Sequence, residues 1–245
     1  HVCVAQVDAD GQNTLWASLQ APARNRDQIA KVLNFPVSRI RIIQTTVGGG
    51  FGGKATQVIS LYPICVLLAL KAGAPVRLVN SWEDEFAASR SRMPAEIRLK
   101  LGIKRDGTFT AKEMEILAGC GAYAGTGPAV ISTTGTRATS LYRLKNVKCR
   151  ADLVYTNTTP IGSVRGYGNP QMHFAMESII DMASKAIGMD PLEVRLKNAT
   201  REGDTSVHGW VMNSCRLTEC LQLAAQRSGW KEKRARHHQE SRGIG

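Results

Sequence analysis

None of the six cysteines pairs with another in a CxxC spacing; Cys3, Cys65, Cys120, Cys149, Cys215 and Cys220 all stand apart. This excludes the usual zinc and iron–sulfur ligand sets. Scattered cysteines in a chain of 245 residues fit unpaired structural thiols in a reducing compartment, so a cytoplasmic location is expected. Long hydrophobic runs are also missing. The longest apolar stretch, Val58 to Ala69, contains Tyr62 and Pro63 and is too short to span a bilayer, so no membrane partner is expected. The opening residues, His1-Val2-Cys3-Val4-Ala5, carry neither the basic segment nor the cleavage site of an export signal, and no initiator Met. That suggests a processed or cut chain. There is no internal repeat and no low-complexity linker.

Acidic residues are few: 20 against 32 Lys and Arg, a net charge of +12. A nucleic-acid surface is one reading of that excess. The basic residues are spread along the chain, however. The single dense run, Lys231-Glu232-Lys233-Arg234-Ala235-Arg236-His237-His238, has no interleaved aromatic ring on which bases could stack. A solvated face, or a surface cut away from acidic partners, accounts for the charge, and no nucleic-acid partner is expected.

Periodicity supplies the elements. Val2 to Val7 and Thr14 to Leu19 read as short strands around the turn Asp8-Ala9-Asp10-Gly11. Arg24 to Leu33 reads as a helix and Arg39 to Thr45 as a strand. After a glycine-rich loop, a mostly buried helix is expected from about Thr56 to Lys71, ended by Gly73 and Pro75, with Pro63 kinking it or delaying its start. Pro75 to Asn80 reads as a strand. Ala95, Ile97, Leu99, Leu101 and Ile103 alternate with polar residues, and Arg105-Asp106-Gly107 turns that strand into Phe109 to Leu117. Gly119 to Gly135 reads as a loop and Lys148 to Tyr155 as a strand. Thr158 to Pro170 is a second loop. It leads into a helix whose apolar face is Met172, Ala175, Met176, Ile179, Ala183 and Ile187, ending at Gly188. Asp190-Pro191-Leu192-Glu193 has the pattern of a capping box with Pro at N1, and Thr218 to Arg227 is the last clear helix. Hairpins beside crossovers point to an α+β fold, with mixed sheets and packed helices.

The glycine-rich loop, Gly48-Gly49-Gly50-Phe51-Gly52-Gly53-Lys54-Ala55, lies between a strand and a helix. Such a loop brings backbone N–H groups close to an anionic ligand. It matches the P-loop pattern at Gly48, Gly53 and Lys54, but Ala55 lacks the hydroxyl that would hold magnesium, and Thr56 comes one position late. It also matches GxGxxG at Gly48, Gly50 and Gly53, yet Lys71 to Val79 holds no acid to grip a ribose. A tight turn with no ligand is the remaining plain reading. Five glycines in six residues argue against it, since each costs roughly 0.5–1 kcal/mol relative to Ala.

Val47 to Lys54, VGGGFGGK, resembles the first molybdopterin loop of the xanthine dehydrogenase and aldehyde oxidase family of molybdenum hydroxylases. Three more segments follow that family's order. Trp16-Ala17-Ser18-Leu19-Gln20 is similar to its segment ending in Gln. Ser163-Val164-Arg165-Gly166-Tyr167-Gly168-Asn169-Pro170-Gln171 is similar to its RGFGxPQ-type loop. Asp190 to Asn198 is similar to the helix that follows. The resemblance implies a molybdopterin-binding fold and a molybdenum ion held by the pterin dithiolene, with no direct protein ligand to the metal. The resemblance also implies the pterin's cytosine dinucleotide form as an option. The implied reaction places a water-derived oxygen on an aldehyde or N-heterocycle, the small-molecule substrate. Electrons would leave through iron–sulfur clusters and FAD on other domains or subunits.

The same resemblance assigns roles. Gln20 would hydrogen-bond an oxo ligand of molybdenum; a solvent-facing loop Gln is the plain alternative. Backbone amides of Gly50, Phe51, Gly52 and Gly53 would line the cofactor, with Phe51 nearest the metal unless it is a core aromatic. Arg165 would donate to the cofactor, or else form a surface ion pair. Tyr167 falls at the substrate cavity, stacking on a ring or simply packing. Ala55 stands where purine-oxidising members carry a substrate-gripping Glu, which argues against purines. Arg137 is the nearest candidate for the family's substrate-guiding Arg, but its register to Tyr142 differs and it is not assigned. No glutamate here has the context of the family's general base, so no catalytic residue is identified. That Glu is expected beyond residue 245. Residues 1–245 then read as the first half of the molybdopterin-binding region, inactive alone, the remainder of the molybdenum subunit being a partner. A non-catalytic molybdopterin- or phosphate-binding module is the alternative. His173 and Glu177 lack a third metal ligand and are expected to pack, as are Met172, Met176 and Met182; His237-His238 reads as a solvated tail.

Overall fold

The computed structural model describes residues 1–55 and 61–236. The chain forms two compact units. The first comprises His1–Ala95, Leu117–Thr133 and Asp152–Gly168, and the second Glu96–Ile116, Thr134–Ala151 and Asn169–Gly245.

In the first unit β1 (Val2–Val7) and β2 (Asn13–Ala17) form the expected hairpin. Helix α1 (Pro22–Leu33) then carries the chain over to β3 (Ile40–Gln44), which pairs with β2 in parallel. After the glycine loop and α2 (Leu61–Ala72), β4 (Val76–Val79) joins the other edge of β1, giving a sheet ordered β3-β2-β1-β4. Alternation decides which side chains enter the core. Cys3, Ala5, Leu15 and Ala17 meet Ile29 and Ala30 of α1 and Tyr62, Cys65, Val66 and Ala69 of α2. Pro63 lies in the first described turn of α2; the start expected at Thr56 lies outside the described residues. The helix is half buried rather than mostly so, because Ile64, Leu67 and Leu68 face outward. Helix α3 (Trp82–Ala88) was not foreseen; Ser81 and Asp84 close a reciprocal capping box at its start.

Strands β5 (Ala95–Ile103), β6 (Phe109–Gly119) and β7 (Asn146–Val154) form a second sheet in that order. The expected loop at 119–135 is half helical, since α4 runs Gly127–Arg137. Its buried face, Val130, Ile131 and Thr134, repeats at helical spacing, and packing overrides the weak propensity of its Thr and Gly residues.

In the second unit α5 (Asn169–Ile187) buries Met172, Met176, Ile180 and Ser184. The expected Ala175, Ile179, Ala183 and Ile187 are half-buried beside this i, i+4 stripe, and Ser184 is tolerated in it because it returns its hydroxyl to the Ile180 carbonyl at 2.7 Å. Met182 is exposed, against expectation. Helix α6 (Pro191–Asn198) starts at Asp190, whose carboxylate accepts from the Leu192 N–H at 2.7 Å. Only this side-chain half of the expected box is present. Asn198 ties α6 to the β5–β6 turn, accepting from Phe109 N–H at 2.9 Å and donating to the Gly107 carbonyl at 2.7 Å. Helix α7 (Leu217–Ser228) is followed by a short α8 (Trp230–Arg236) across Gly229, where a basic tail was expected. His237-His238 lie outside the described residues.

Candidate functional site

Three segments far apart in sequence meet in the first unit. Strand β2 ends at Ala17, and the chain runs on to Gln20, which reaches the glycine loop. The Gln20 carboxamide oxygen accepts from Gly52 N–H at 2.9 Å and from Lys54 N–H at 3.3 Å. The Gln20 N–H donates to the Lys54 carbonyl at 3.0 Å. These bonds fix the amide's orientation. Its Nε2 donor then has no partner among the described residues.

Two of the glycines are required by contact. A Cβ on Gly50 would lie 2.5 Å from the Gln20 carboxamide. At Gly52 φ is +95°, and a Cβ would lie 2.4 Å from the Ser163 carbonyl oxygen. The backbone of the second loop therefore presses directly on the first. Within the glycine loop, Gly53 N–H donates to the Gly50 carbonyl at 2.8 Å and Ala55 N–H to the Gly52 carbonyl at 3.1 Å.

The four amides expected to line the cofactor, Gly50 to Gly53, differ in their hydrogen bonding. The Gly53 N–H is used inside the loop and the Gly52 N–H by the Gln20 side chain. The N–H groups of Gly50 and Phe51 have no partner among the described residues. Lys54 also turns away from a phosphate-gripping role: its amine donates to Ser18 Oγ at 2.7 Å.

Phe51 is not a core aromatic. It adopts φ +49° and is 66% exposed. The Arg165 guanidinium lies 5.7 Å from the centre of its ring, a cation–π distance. Arg165 is itself exposed and has no ion-pair partner among the described residues, so the surface ion pair is not realised. Tyr167, half-buried, has φ +48°, and its N–H closes a turn onto the Val164 carbonyl at 2.8 Å. Ala55 is half-buried at the loop's end.

Several supporting residues were not foreseen. Arg92 donates to the Arg165 carbonyl at 2.8 Å. Arg90 donates to the Ile161 carbonyl at 3.1 Å, and burial lowers its guanidinium pKa. His1 holds the Gly53 carbonyl through Nε2 at 3.0 Å and Glu85 through Nδ1 at 2.7 Å. Isolated Arg and His residues outside any motif give no signal in a sequence.

Other candidates resolve within the second unit. Arg137 stacks 4.7 Å over the Trp210 ring. Glu177 accepts from Tyr142 OH and from Arg195 Nε, each at 2.8 Å. Burial lowers the His173 pKa against the pull of Glu177. No group of His, Cys, Asp and Glu among the described residues could hold a metal ion, and the six cysteines are free.

The family described as molybdopterin cofactor-binding domain matches residues 1–199. The chain is 36% identical to the xanthine dehydrogenase molybdenum-binding subunit of Escherichia coli O157:H7, over 99% of this chain and 33% of that protein. It is 37% identical to the nicotinate dehydrogenase large molybdopterin subunit of Eubacterium barkeri, over 92% of this chain and 53% of that one. Among solved structures, aldehyde oxidoreductase from Desulfovibrio gigas superposes with a TM-score of 0.87 at 26% identity, covering 99% of this chain and 26% of that chain. Quinoline 2-oxidoreductase from Pseudomonas putida 86 superposes with a TM-score of 0.85 at 26% identity, over 97% and 31%. The chain thus spans a third to a half of the curated relatives cited. With a family match running across Gln20, the glycine loop and the Arg165 loop, the chain belongs to the molybdopterin cofactor-binding domains of the xanthine dehydrogenase and aldehyde oxidase type.

Proposed function

We propose that this chain is the first half of the molybdopterin-binding region of a molybdenum-dependent hydroxylase, and that its two loops hold the cofactor. The convergence of Gln20, the Gly50–Gly53 turn and Arg165 at one place in the first unit carries the reading.

The residues fit such a group. Gly50 and Gly52 let the Gln20 side chain and the Ser163 backbone pack directly on the loop, which brings the two loops and Gln20 to one place. The loop and its neighbours offer donors: the Gln20 Nε2, the Gly50 and Phe51 N–H groups, and the Arg165 guanidinium. A donor-rich set suits the oxo and phosphate oxygens of a molybdenum pterin. When bound, the cofactor would supply two-electron oxidation, with water as the source of the oxygen placed on the substrate carbon. The chain's own residues bind and orient. Gln20 is held by Gly52 and Lys54 so that its NH₂ points a donor at a ligand oxygen. Arg165, steadied by Arg92 and the Phe51 ring, adds a fixed positive charge. Phe51 places an apolar ring beside these donors, which limits water and strengthens each hydrogen bond.

Ala55 sets the substrate class. A methyl group can neither accept from a purine nor carry charge, so an aldehyde or a small N-heterocycle is favoured over a purine. Iron–sulfur and flavin domains or subunits would take the electrons, and the general-base Glu would come from the remainder of the molybdenum subunit. A cytosine dinucleotide form of the pterin and a cytoplasmic location complete the proposal; no described helix is long and apolar enough to cross a membrane.

The test is metal and pterin analysis of the full-length native protein, with turnover of benzaldehyde and of xanthine. Molybdenum and pterin near one per site, with benzaldehyde preferred, are expected. Gln20→Ala should lower turnover by about one to two orders of magnitude through loss of one charge-stabilising donor. An assembled protein with neither molybdenum nor pterin would overturn the reading. A preference for xanthine would overturn the role of Ala55 alone.

A further inference from the structure

The second unit contains a cavity of about 630 Å³ between the β5–β6 turn, the segment before β7 and the end of α6. Its lining includes Lys104, Arg143, Lys145, Lys197 and Arg201, and no carboxylate. Five cations around one concavity repel one another unless counter-charge is present. Two of them have it at the rim. Lys197 Nζ lies 3.0 Å from Asp106 Oδ2, and Arg143 Nε lies 4.0 Å from Asp204 Oδ2. Lys104, Lys145 and Arg201 have no side-chain partner among the described residues.

The cavity is also rigid where it should be. Arg143 is pinned to the Lys197 carbonyl at 2.6 Å, and Asn146 to the Thr110 carbonyl at 3.0 Å. Asn198, buried beneath, holds the turn that carries Lys104. The three uncompensated cations thus project from a fixed frame on long flexible stems.

We propose that this cavity binds a small polyphosphate-type anion, a di- or triphosphate group carrying at least three negative charges. Size and charge select the class. The volume is that of a ligand pocket, and one monovalent anion would leave most of the cations uncompensated. Lys and Arg together match phosphate oxygens, as point charges and as forked donors. The lining offers no ring face for a base: Phe109 is buried and stands edge-on to Tyr142 at 5.7 Å. Recognition therefore falls on the phosphates, and a nucleoside attached to them adds little. None of the residues involved belongs to the loops proposed to hold the pterin, so the inference stands or falls separately from that reading.

The test is isothermal titration of the full chain with sodium tripolyphosphate, pyrophosphate, ATP and orthophosphate. Tripolyphosphate and ATP should bind alike, and orthophosphate much more weakly. The triple variant Lys104→Gln/Lys145→Gln/Arg201→Gln should weaken tripolyphosphate about a hundredfold, given three lost charge-assisted contacts. All three side chains are exposed, so thermal unfolding should be unchanged. Lys145→Glu alone gives a second variant, expected to weaken binding at least about tenfold. The control Lys231→Gln/Lys233→Gln, which removes the same type of charge from α8, should leave binding intact. Absence of binding, equal affinity for orthophosphate, or equal loss in the control would each overturn the proposal.

Discussion

Gly50 and Gly52 are intolerant for different reasons, and the difference can be measured. A methyl group at Gly50 meets the flexible end of Gln20, which can swing aside. Doing so frees the Gly52 and Lys54 N–H groups from their acceptor. At Gly52 the obstruction is the Ser163 backbone, and φ is +95°, a region that costs a side chain about 1–3 kcal/mol. We therefore expect Gly52→Ala to lower the unfolding midpoint and cofactor retention together. Gly50→Ala should lower cofactor retention with little change in stability. In a Gln20→Ala background the effect of Gly50→Ala should largely vanish, since the two act through one contact. Molybdenum content and differential scanning fluorimetry of the four proteins decide it; additive losses would contradict the coupling. The motif was legible at these positions because glycine and glutamine are informative types in that order. What the sequence concealed was the direction of each hydrogen bond: Gln20 takes the Gly52 amide, the loop's own Gly50 carbonyl takes that of Gly53, and those of Gly50 and Phe51 have no partner among the described residues.

Elements were legible where pattern and packing agree. Both hairpins, the β2-α1-β3 crossover and the long α5 follow directly from alternation, helical spacing and turn residues. Helices α3 and α4 were hidden, each for a physical reason. Helix α3 is short, and its capping box uses Asp at N3 where the sequence signature looks for Glu or Gln. Helix α4 is made of Thr, Gly and Ala, and only its buried stripe marks it. Strand β6 was legible as Phe109 to Leu117, but not that it buries Lys112 where alternation calls for an apolar residue. Lys112 donates to the Ala138 carbonyl at 2.6 Å, just past the end of α4, so it serves that helix as a C-terminal cation.

Burial lowers the Lys112 pKa from 10.5 to about 8, against a smaller raising effect of Cys149. The sign follows from linkage. With the folded pKa below the unfolded one, the unfolded chain binds more protons between these values. Stability therefore rises as pH climbs from about 8 toward 10.5. Tyr142, whose pKa is raised by burial and by Glu177, acts in the opposite direction at the top of this range. The clean observable is the difference between wild type and Lys112→Met in urea unfolding. Wild type should gain on the variant across that interval, and a pH-independent difference would contradict the buried amine. The cap of α3 offers a simpler check: Ser81→Ala should cost about 1 kcal/mol, seen as increased amide exchange confined to residues 82–88.

At the scale of the whole molecule, the composition of α2 is the informative feature. Leu61 to Ala72 is apolar on every side apart from Lys71, a pattern that belongs to a helix covered all round. One face meets the β3-β2-β1-β4 sheet, whereas Ile64, Leu67 and Leu68 are 41–49% exposed. On α3, Trp82 and Phe86 stand one turn apart at 79% and 82% exposure. Scattered apolar residues on a surface need no explanation, but rows on two helices do. The two curated relatives cited are about three and two times as long as the span matched in them. The exposed rows carry a measurable consequence for residues 1–245 as a separate polypeptide. It should bind a hydrophobic dye such as ANS and associate in a concentration-dependent manner on gel filtration. Trp82→Ser/Phe86→Ser should reduce both, with far-ultraviolet circular dichroism unchanged because neither side chain is part of a core. Since association driven by charge would weaken with salt while association through apolar faces would not, the measurement belongs at both low and high ionic strength. Association that disappears in high salt would assign the effect to contacts between opposite charges and not to these helices.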